Sequence, residues 1–293
     1  MTAIDIEYTA VRRHLIDPEP HRHASGTVFE TGLLTGSPWQ VSIGLTGPGN
    51  IGAGVLTERA IAMFSPSAVL FVGIAGALQS WVALGDVVVG TRVFAYHGGR
   101  DDRDGFQPRP RSWEAAHGLE QLARHVARGE VRPDGDTRPP PAVHFQPIAA
   151  GEVLLNSPSS PLTRQLRGQY NDAVAIEMES AGASSAAHLN GGLPMLTVRG
   201  ISDSIHGVKE DAVAAGWSVV AAERAASFAA HLVRRLEPGD VDDRAPVRPS
   251  GTDRPEPGAT TAGPAQIQVN SASGGTVFAV QGGDQTVHGG PRQ

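Results

Sequence analysis

Ala175-Ile176-Glu177-Met178-Glu179-Ser180-Ala181-Gly182, with Val198-Arg199-Gly200-Ile201-Ser202-Asp203 following it, is the stretch whose reading decides the fold. Each half is entered by a short apolar run, Ala173–Ile176 and Met195–Val198, with turn signals on either side. Such runs predict strands covered on both faces of a sheet. Two carboxylates, Glu179 and Asp203, then fall at the C-terminal ends of those strands, where open α/β sheets bind their ligands. A carboxylate is costly to bury without a partner. Spacing alone leaves a second reading open, in which Glu179 caps a helix start and Asp203 caps the next turn.

Working outward, Val41–Leu45, Val69–Val72 and Asp86–Val89 read as further strands, and Asn50 as the cap of a helix carrying Val55, Ile61 and Phe64. Residues 98–111 read as a charged loop, followed by a helix from Ser112 to Arg128. A Pro-rich break, Arg132–Pro141, precedes a return strand at Val143–Ile148, and an Ala-rich helix spans Gly216–Leu236. Strands alternating with helical patterns predict an α/β domain over residues 1–236. Residues 237–266 are rich in Pro, Gly, Asp, Arg and Thr, a composition that buries too little apolar surface to offset its ordering entropy. A disordered linker is expected there. Beyond it, within 267–293, lies an almost uncharged, β-prone, proline-free island at 275–288, including Thr276-Val277-Phe278-Ala279-Val280-Gln281. Those are marks of a cross-β segment, although its glycines require turns between short strands.

A formal net charge of −6 and a pI near 6.0 give no overall basic footprint for nucleic acid. The chain has no cysteine, which excludes disulfides and Cys-based zinc sites. No apolar run approaches the roughly 20 residues of a membrane span, and the N-terminus lacks a signal-peptide core. A cytoplasmic protein with no membrane partner is the expectation.

The Glu177–Ser180 and Val198–Asp203 blocks resemble the nucleoside phosphorylase/nucleosidase superfamily, and are most similar to its methylthioadenosine/adenosylhomocysteine nucleosidase branch. A third block agrees in order and spacing: Phe71-Val72-Gly73-Ile74-Ala75-Gly76-Ala77-Leu78, then Leu84-Gly85-Asp86-Val87-Val88-Val89. The resemblance covers roughly residues 3–236. It implies a single domain with a twisted mixed central sheet flanked by helices, a homo-oligomer, and cleavage of a purine N-glycosidic bond without metal or organic cofactor.

That reaction needs an acid at N7 of the leaving base, an oriented nucleophile on the opposite sugar face, and a grip on the ribose hydroxyls. By resemblance Asp203 is the acid, with Ser202 orienting it, and Glu179 accepts the vicinal 2′- and 3′-hydroxyls. Met178 packs under the sugar, and Gly73 and Gly76 allow close backbone approach to it. Glu7 falls where nucleosidases keep the base that activates water; it also reads as a first-turn helix acid. Val153, Leu154 and Leu155 align with the segment that packs on the base, with Leu154 where an aromatic ring often stacks. Glu177 is expected to be structural and to point away from Glu179.

The family's phosphorylases carry an arginine at the position of Phe71 and a serine at that of Ile74, both absent here, so hydrolysis is favoured over phosphorolysis. Ile74 also departs from the serine common in nucleosidases. The basic loop with Arg100, near Arg109 and Arg111, is a candidate for meeting a 5′-phosphate chain, as are Lys209 and His206. The family also opens with an apolar strand ahead of its catalytic glutamate, whereas Met1–Tyr8 begins where that strand should be finishing. Relatives associated with immune-type signalling include enzymes that remove adenine from ATP. The C-terminal island resembles bacterial amyloid signalling motifs of the RIP homotypic interaction type, which implies templating by a matching motif on a nucleotide-binding oligomerisation receptor. A phosphate-dependent metabolic phosphorylase and an inactive nucleoside-binding scaffold are the alternatives.

Overall fold

The computed structural model describes residues 1–103, 105–129, 131, 133–155, 157–206 and 215–237. In chain order its elements are α1 (Asp5–Arg12), β1 (Leu15–Arg22), β2 (Val28–Leu34), β3 (Gln40–Gly44), α2 (Asn50–Phe64), β4 (Val69–Ala77) and β5 (Val87–Ala95). Then come β6 (Gly99–Asp102), β7 (Gly105–Pro108), β8 (Arg111–Glu114), α3 (His117–Val126), β9 (Val143–Ala150) and α4 (Pro161–Gln169). β10 (Ala175–Glu177), α5 (Ser180–Leu189), β11 (Met195–Ser204) and α6 (Trp217–Arg235) complete them. Apart from Glu237, the linker expected at 237–266 and the amyloid-type motif at 267–293 lie outside the described residues.

The apolar-rich strands pair as expected for buried ones, in a mixed sheet. β4 runs parallel to β11 and antiparallel to β10, β10 parallel to β9, β9 parallel to β5, and β5 antiparallel to β11. These pairings close a ring of strands. Register shifts between Gly90 and Val93 and between Ile201 and Asp203 supply local bends. α6 lays its alanine stripe, with Phe228 and Leu232, against Val72, Val87, Val89 and Val198. On the other side Ala53 of α2 and Ala183 and Ala187 of α5 pack on Phe71 and Met195. Small residues bring these helices close to the strands, so the strand ends that carry the acids sit on a rigid support.

Several expectations need correction. Asn50 is not the cap of α2: Gly49 is, and Asn50 is the first helical residue. Within the expected loop, Gly99–Asp102 and Gly105–Pro108 pair as antiparallel strands, β6 and β7. Arg111–Glu114 is a strand on the β5 edge, so the following helix begins only at His117. β1 and β2 were not foreseen; with Pro18 and Pro20, β1 lacks two ladder donors and pairs with β2 alone, across a register shift.

The N-terminus is a two-residue bridge. Met1 N donates to Leu70 O at 2.8 Å, and Val72 N donates to Met1 O at 2.9 Å. Thr2 N donates to Gly44 O at 3.0 Å, and Thr46 N to Thr2 O at 2.8 Å. Met1–Thr2 therefore joins β3 to β4, in parallel, before the chain turns into α1.

Candidate active site

A charged residue inside an apolar strand must find partners, and Arg199 of β11 is fully buried. Its Nη2 donates to Glu177 Oε2, to Ser180 Oγ at 2.9 Å, and to Glu179 Oε2 at 3.5 Å. Nη1 donates to Ile74 O at 3.4 Å, and the guanidinium lies 4.7 Å from the Phe71 ring centroid. Nε has no hydrogen-bond partner among the described residues. Glu177 also accepts from the backbone N–H groups of Glu179 and Ser180, at 3.0 and 2.9 Å, at the start of α5. Its structural role holds, but its expected direction does not. Glu177 and Glu179 reach the same guanidinium, because side chains two apart along an extended chain share a face.

Glu179 is buried and accepts from Gly49 N at 3.2 Å. Burial pushes its carboxyl up to about 7; Arg199 opposes the shift, and the charge of Glu177 adds to it. Glu7 is also buried, at the third position of α1. Its Oε2 accepts from Ala3 N and Ile4 N at 2.7 and 3.2 Å, satisfying donors at the helix start. Its Oε1 accepts from Ile74 N at 2.8 Å, which ties the helix to β4.

Asp203 stands opposite Gly76, just after the β11 register shift, and Ser202 Oγ donates to its Oδ1 at 3.2 Å. The two glycines give room to the protein's own side chains. A Cβ at Gly73 would lie 2.4 Å from Arg199 Nη1 and 2.6 Å from Glu7 Oε1, and one at Gly76 would lie 3.1 Å from Asp203 Oδ1. Ile74 therefore contributes its backbone N–H and C=O. Phe71, where the phosphorylases carry an arginine, is fully buried beneath the Arg199 guanidinium.

Met178 is half-buried between the two glutamates. In the base-side segment, Val153 and Leu154 are exposed, whereas Leu155 is buried with Tyr96, Tyr170 and Ile176. Asn50 steadies this segment: its Nδ2 donates to Gly151 O at 2.8 Å, and its Oδ1 accepts from Gly182 N at 3.0 Å. Arg100 is exposed on β6, 3.5 Å from Asp102 of the same hairpin, away from the acid cluster's hydrogen bonds. His206 Nε2 lies 3.3 Å from both Leu78 O and Arg167 Nη2; Lys209 lies outside the described residues. Sequence reasoning missed Arg199, and read Asn50 only as a helix cap. The signal for Arg199 was present, as a lone arginine between strand residues in Val198–Asp203. Among the described residues no three His, Asp or Glu side chains are grouped as a metal would require, and no helix is long and apolar enough to cross a membrane.

A ring of mixed strands with a cluster of buried acids gathered at strand ends defines the class: an α/β protein built on a closed mixed sheet. The chain belongs to the phosphorylase superfamily, whose family model matches residues 1–236. It is 28% identical to the ATP nucleosidase Cap17 of Escherichia coli (strain KTE188) over 257 residues, covering 79% of this chain and 50% of that protein. The chain thus spans about half the length of that relative. It is 25% identical to a 5′-methylthioadenosine/S-adenosylhomocysteine nucleosidase of Maridesulfovibrio salexigens, covering 70% of this chain and 85% of the other. The crystal structure of such a nucleosidase from Neisseria meningitidis, in complex with methylthio-immucillin-A, superposes with a TM-score of 0.67 at 23% identity, over 80% of this chain and 97% of that one.

Proposed function

We propose that this chain is a purine nucleosidase that hydrolyses the N-glycosidic bond of an adenine nucleoside or nucleotide. The observation that carries it is the placement of two acids along one strand: Glu7 is bonded at Ile74, and Asp203 stands opposite Gly76. Two to three residues of β4 separate these points, about 7–10 Å. A nucleoside fits across that span, with its base at Asp203 and the far side of its sugar at Glu7. Glu7 takes a proton from water as the water oxygen bonds to C1′. The C1′–N9 pair leaves with the purine, which Asp203 protonates at N7. Glu179 accepts the ribose hydroxyls, and Arg199 holds that carboxylate in place.

Water is favoured over phosphate on charge grounds. Glu7, Glu177 and Glu179 surround a single guanidinium that is already engaged by two of them. Bringing a phosphate dianion into this low-dielectric cluster sets like charges together, with no second cation in the cluster among the described residues.

The adenine preference is supported by the names of the relatives, and the Cap17 name supports ATP as a candidate substrate. Arg100 on the exposed hairpin is the proposed contact to a 5′-phosphate chain. We further assign residues 267–293, from composition and motif resemblance, to amyloid-type assembly with a matching receptor motif, which makes the enzyme an inducible immune or cell-death effector working as a homo-oligomer. The test is base release from ATP, AMP, adenosine and methylthioadenosine in phosphate-free buffer. Adenine is expected without phosphate, and Asp203→Asn should lower turnover by about 10²–10⁴-fold. A strict phosphate requirement would establish a phosphorylase instead.

A further inference from the structure

One buried carboxylate has no part in the proposed chemistry. Asp86, just ahead of β5, accepts three hydrogen bonds: Ala142 N donates to Oδ1 at 3.0 Å, and Ala83 N and His144 Nε2 donate to Oδ2 at 3.0 and 2.8 Å. Trp81 packs edge-on against the His144 imidazole, with ring centroids 5.2 Å apart. Bonds to an ionised acceptor are the strong ones, so this side chain is fixed to the start of β9. Gly85 beside it has φ +84, a glycine conformation, and its carbonyl accepts from Nη1 of buried Arg224 at 3.2 Å. Arg224 is anchored in turn by Asp136 Oδ2 and Pro139 O, at 2.8 and 2.7 Å. Two charged side chains, one of the turn itself and one of α6, therefore hold two consecutive residues in place.

Those two residues grip β11. Gly85 N donates to Ile201 O at 2.7 Å, and Ile201 N donates to Asp86 O at 2.8 Å. Both polar backbone groups of one strand residue are thus taken by the turn. Towards β4, Ile201 stands opposite Ala75, and the register shift follows at once, so that Asp203 faces Gly76 and Ser202 is the extra residue. A bulge re-aims the side chains around it. Here the extra residue carries the hydroxyl that donates to Asp203 Oδ1, and the next residue is Asp203 itself.

We propose that Asp86 is a positioning residue for the acid: by locking the Gly85–Asp86 turn onto Ile201 it fixes where the β11 bulge falls, and so the aim of Asp203 at the leaving base. The inference rests on the reading of Asp203 as that acid. β11 keeps its place beside β4 without this grip; what the turn controls is the fine aim of the two residues beyond Ile201. A group that is about 1 Å out of line can lose about 10²-fold in rate, so a hold of this kind matters to chemistry before it matters to the sheet. An isosteric amide cannot replace the carboxylate, because donors reach both of its oxygens and an amide offers only one.

The test is a double-mutant cycle on the full chain, built from Asp86→Asn, Asp203→Asn and the pair, with adenine release measured from whichever of ATP and adenosine the parent prefers. Alone, Asp86→Asn should lower kcat by about 10–10²-fold with KM held within about twofold. In the Asp203→Asn background it should lower kcat no further, because the residue it aims is already disabled. An equal loss in both backgrounds overturns the proposal and leaves the nucleosidase reading standing. Unchanged turnover in Asp203→Asn alone removes the acid assignment, and the proposal with it. A milder pair guards against misfolding of Asp86→Asn. His144→Leu removes one of the three donors and should lower kcat by a smaller factor, and His144→Gln, whose Nε2 can donate to the same oxygen, should recover most of that loss. Equal kcat in His144→Leu and the parent overturns the proposal as well.

Discussion

The two ends of β4 differ in how their polar groups are satisfied. At Gly73–Gly76, the strand meets Glu7, Arg199 and Asp203, and the buried acids there have named partners. At Ser67–Leu70, one edge of the same strand faces an apolar slot. One end is over-determined by side chains from α1, β10, α5 and β11; at the other, β11 pairs with one edge and Met1 meets the second at Leu70. The difference teaches that positional precision for chemistry and stability of the sheet are supplied by separate parts of one strand, and can be disturbed separately.

The sharpest way to break the over-determined end is Arg199→Ala. Leaving Glu177 and Glu179 buried without their cation should cost about 3–5 kcal/mol in urea denaturation, with base release lost as well. If stability is unchanged, the two acids are held some other way. Gly73→Ala comes next. Its Cβ would push on both Arg199 and Glu7, an overpacking that should cost about 1–3 kcal/mol and lower kcat more than it raises KM in steady-state assays.

Protons sharpen the comparison, because the two ends respond with opposite sign. Glu179 keeps its proton to about 7 in the folded chain, above its ordinary value of 4.5, so its contribution to stability is lost as pH rises through that window. The Met1 amine loses its proton at about 5 instead of 8.0, so the unfolded chain binds more protons between those values and stability rises with pH. Thermal scans of Glu179→Gln from pH 5 to 8 should show a steeper rise than the parent chain. In kinetics, KM should fall as pH rises through about 7, since the ionised carboxylate accepts the ribose hydroxyls, and Glu179→Gln should flatten that profile. The smallest effect belongs to the hairpin. Arg100→Ala should change stability by less than about 0.5 kcal/mol, and should raise KM for ATP while leaving adenosine unaffected.

Much of this arrangement was legible in the sequence. Glu179, Ser202 and Asp203 could be placed because short apolar strand-forming runs, Ala173–Ile176 and Met195–Val198, lie just ahead of them, and the chain's family and α/β fold followed from the same blocks. What stayed hidden depended on contacts between distant segments. Arg199 reads as one charge in a strand until Glu177 is brought beside it. Gly73 and Gly76 read as openings toward a sugar, although the space they leave is occupied by Glu7, Arg199 and Asp203. β1, with its prolines, and the charged β6–β7 hairpin lack the apolar alternation by which strands are recognised, so their pairing came only from the fold. Leu155 reads like its neighbours Val153 and Leu154, but the turn of the chain sends it into the core.

The closed circuit β4–β11–β5–β9–β10 has a mechanical consequence. In an open sheet, parting one pair of neighbours lets everything beyond the seam swing away as a flap. In a hoop, parting one seam frees nothing, because each strand is still held round the other way, and two seams must open together before any strand can leave. Glu177 and Arg199 ride on two members of that hoop, with Glu179 and Asp203 at its rim, so their relative positions survive the loss of any single ladder.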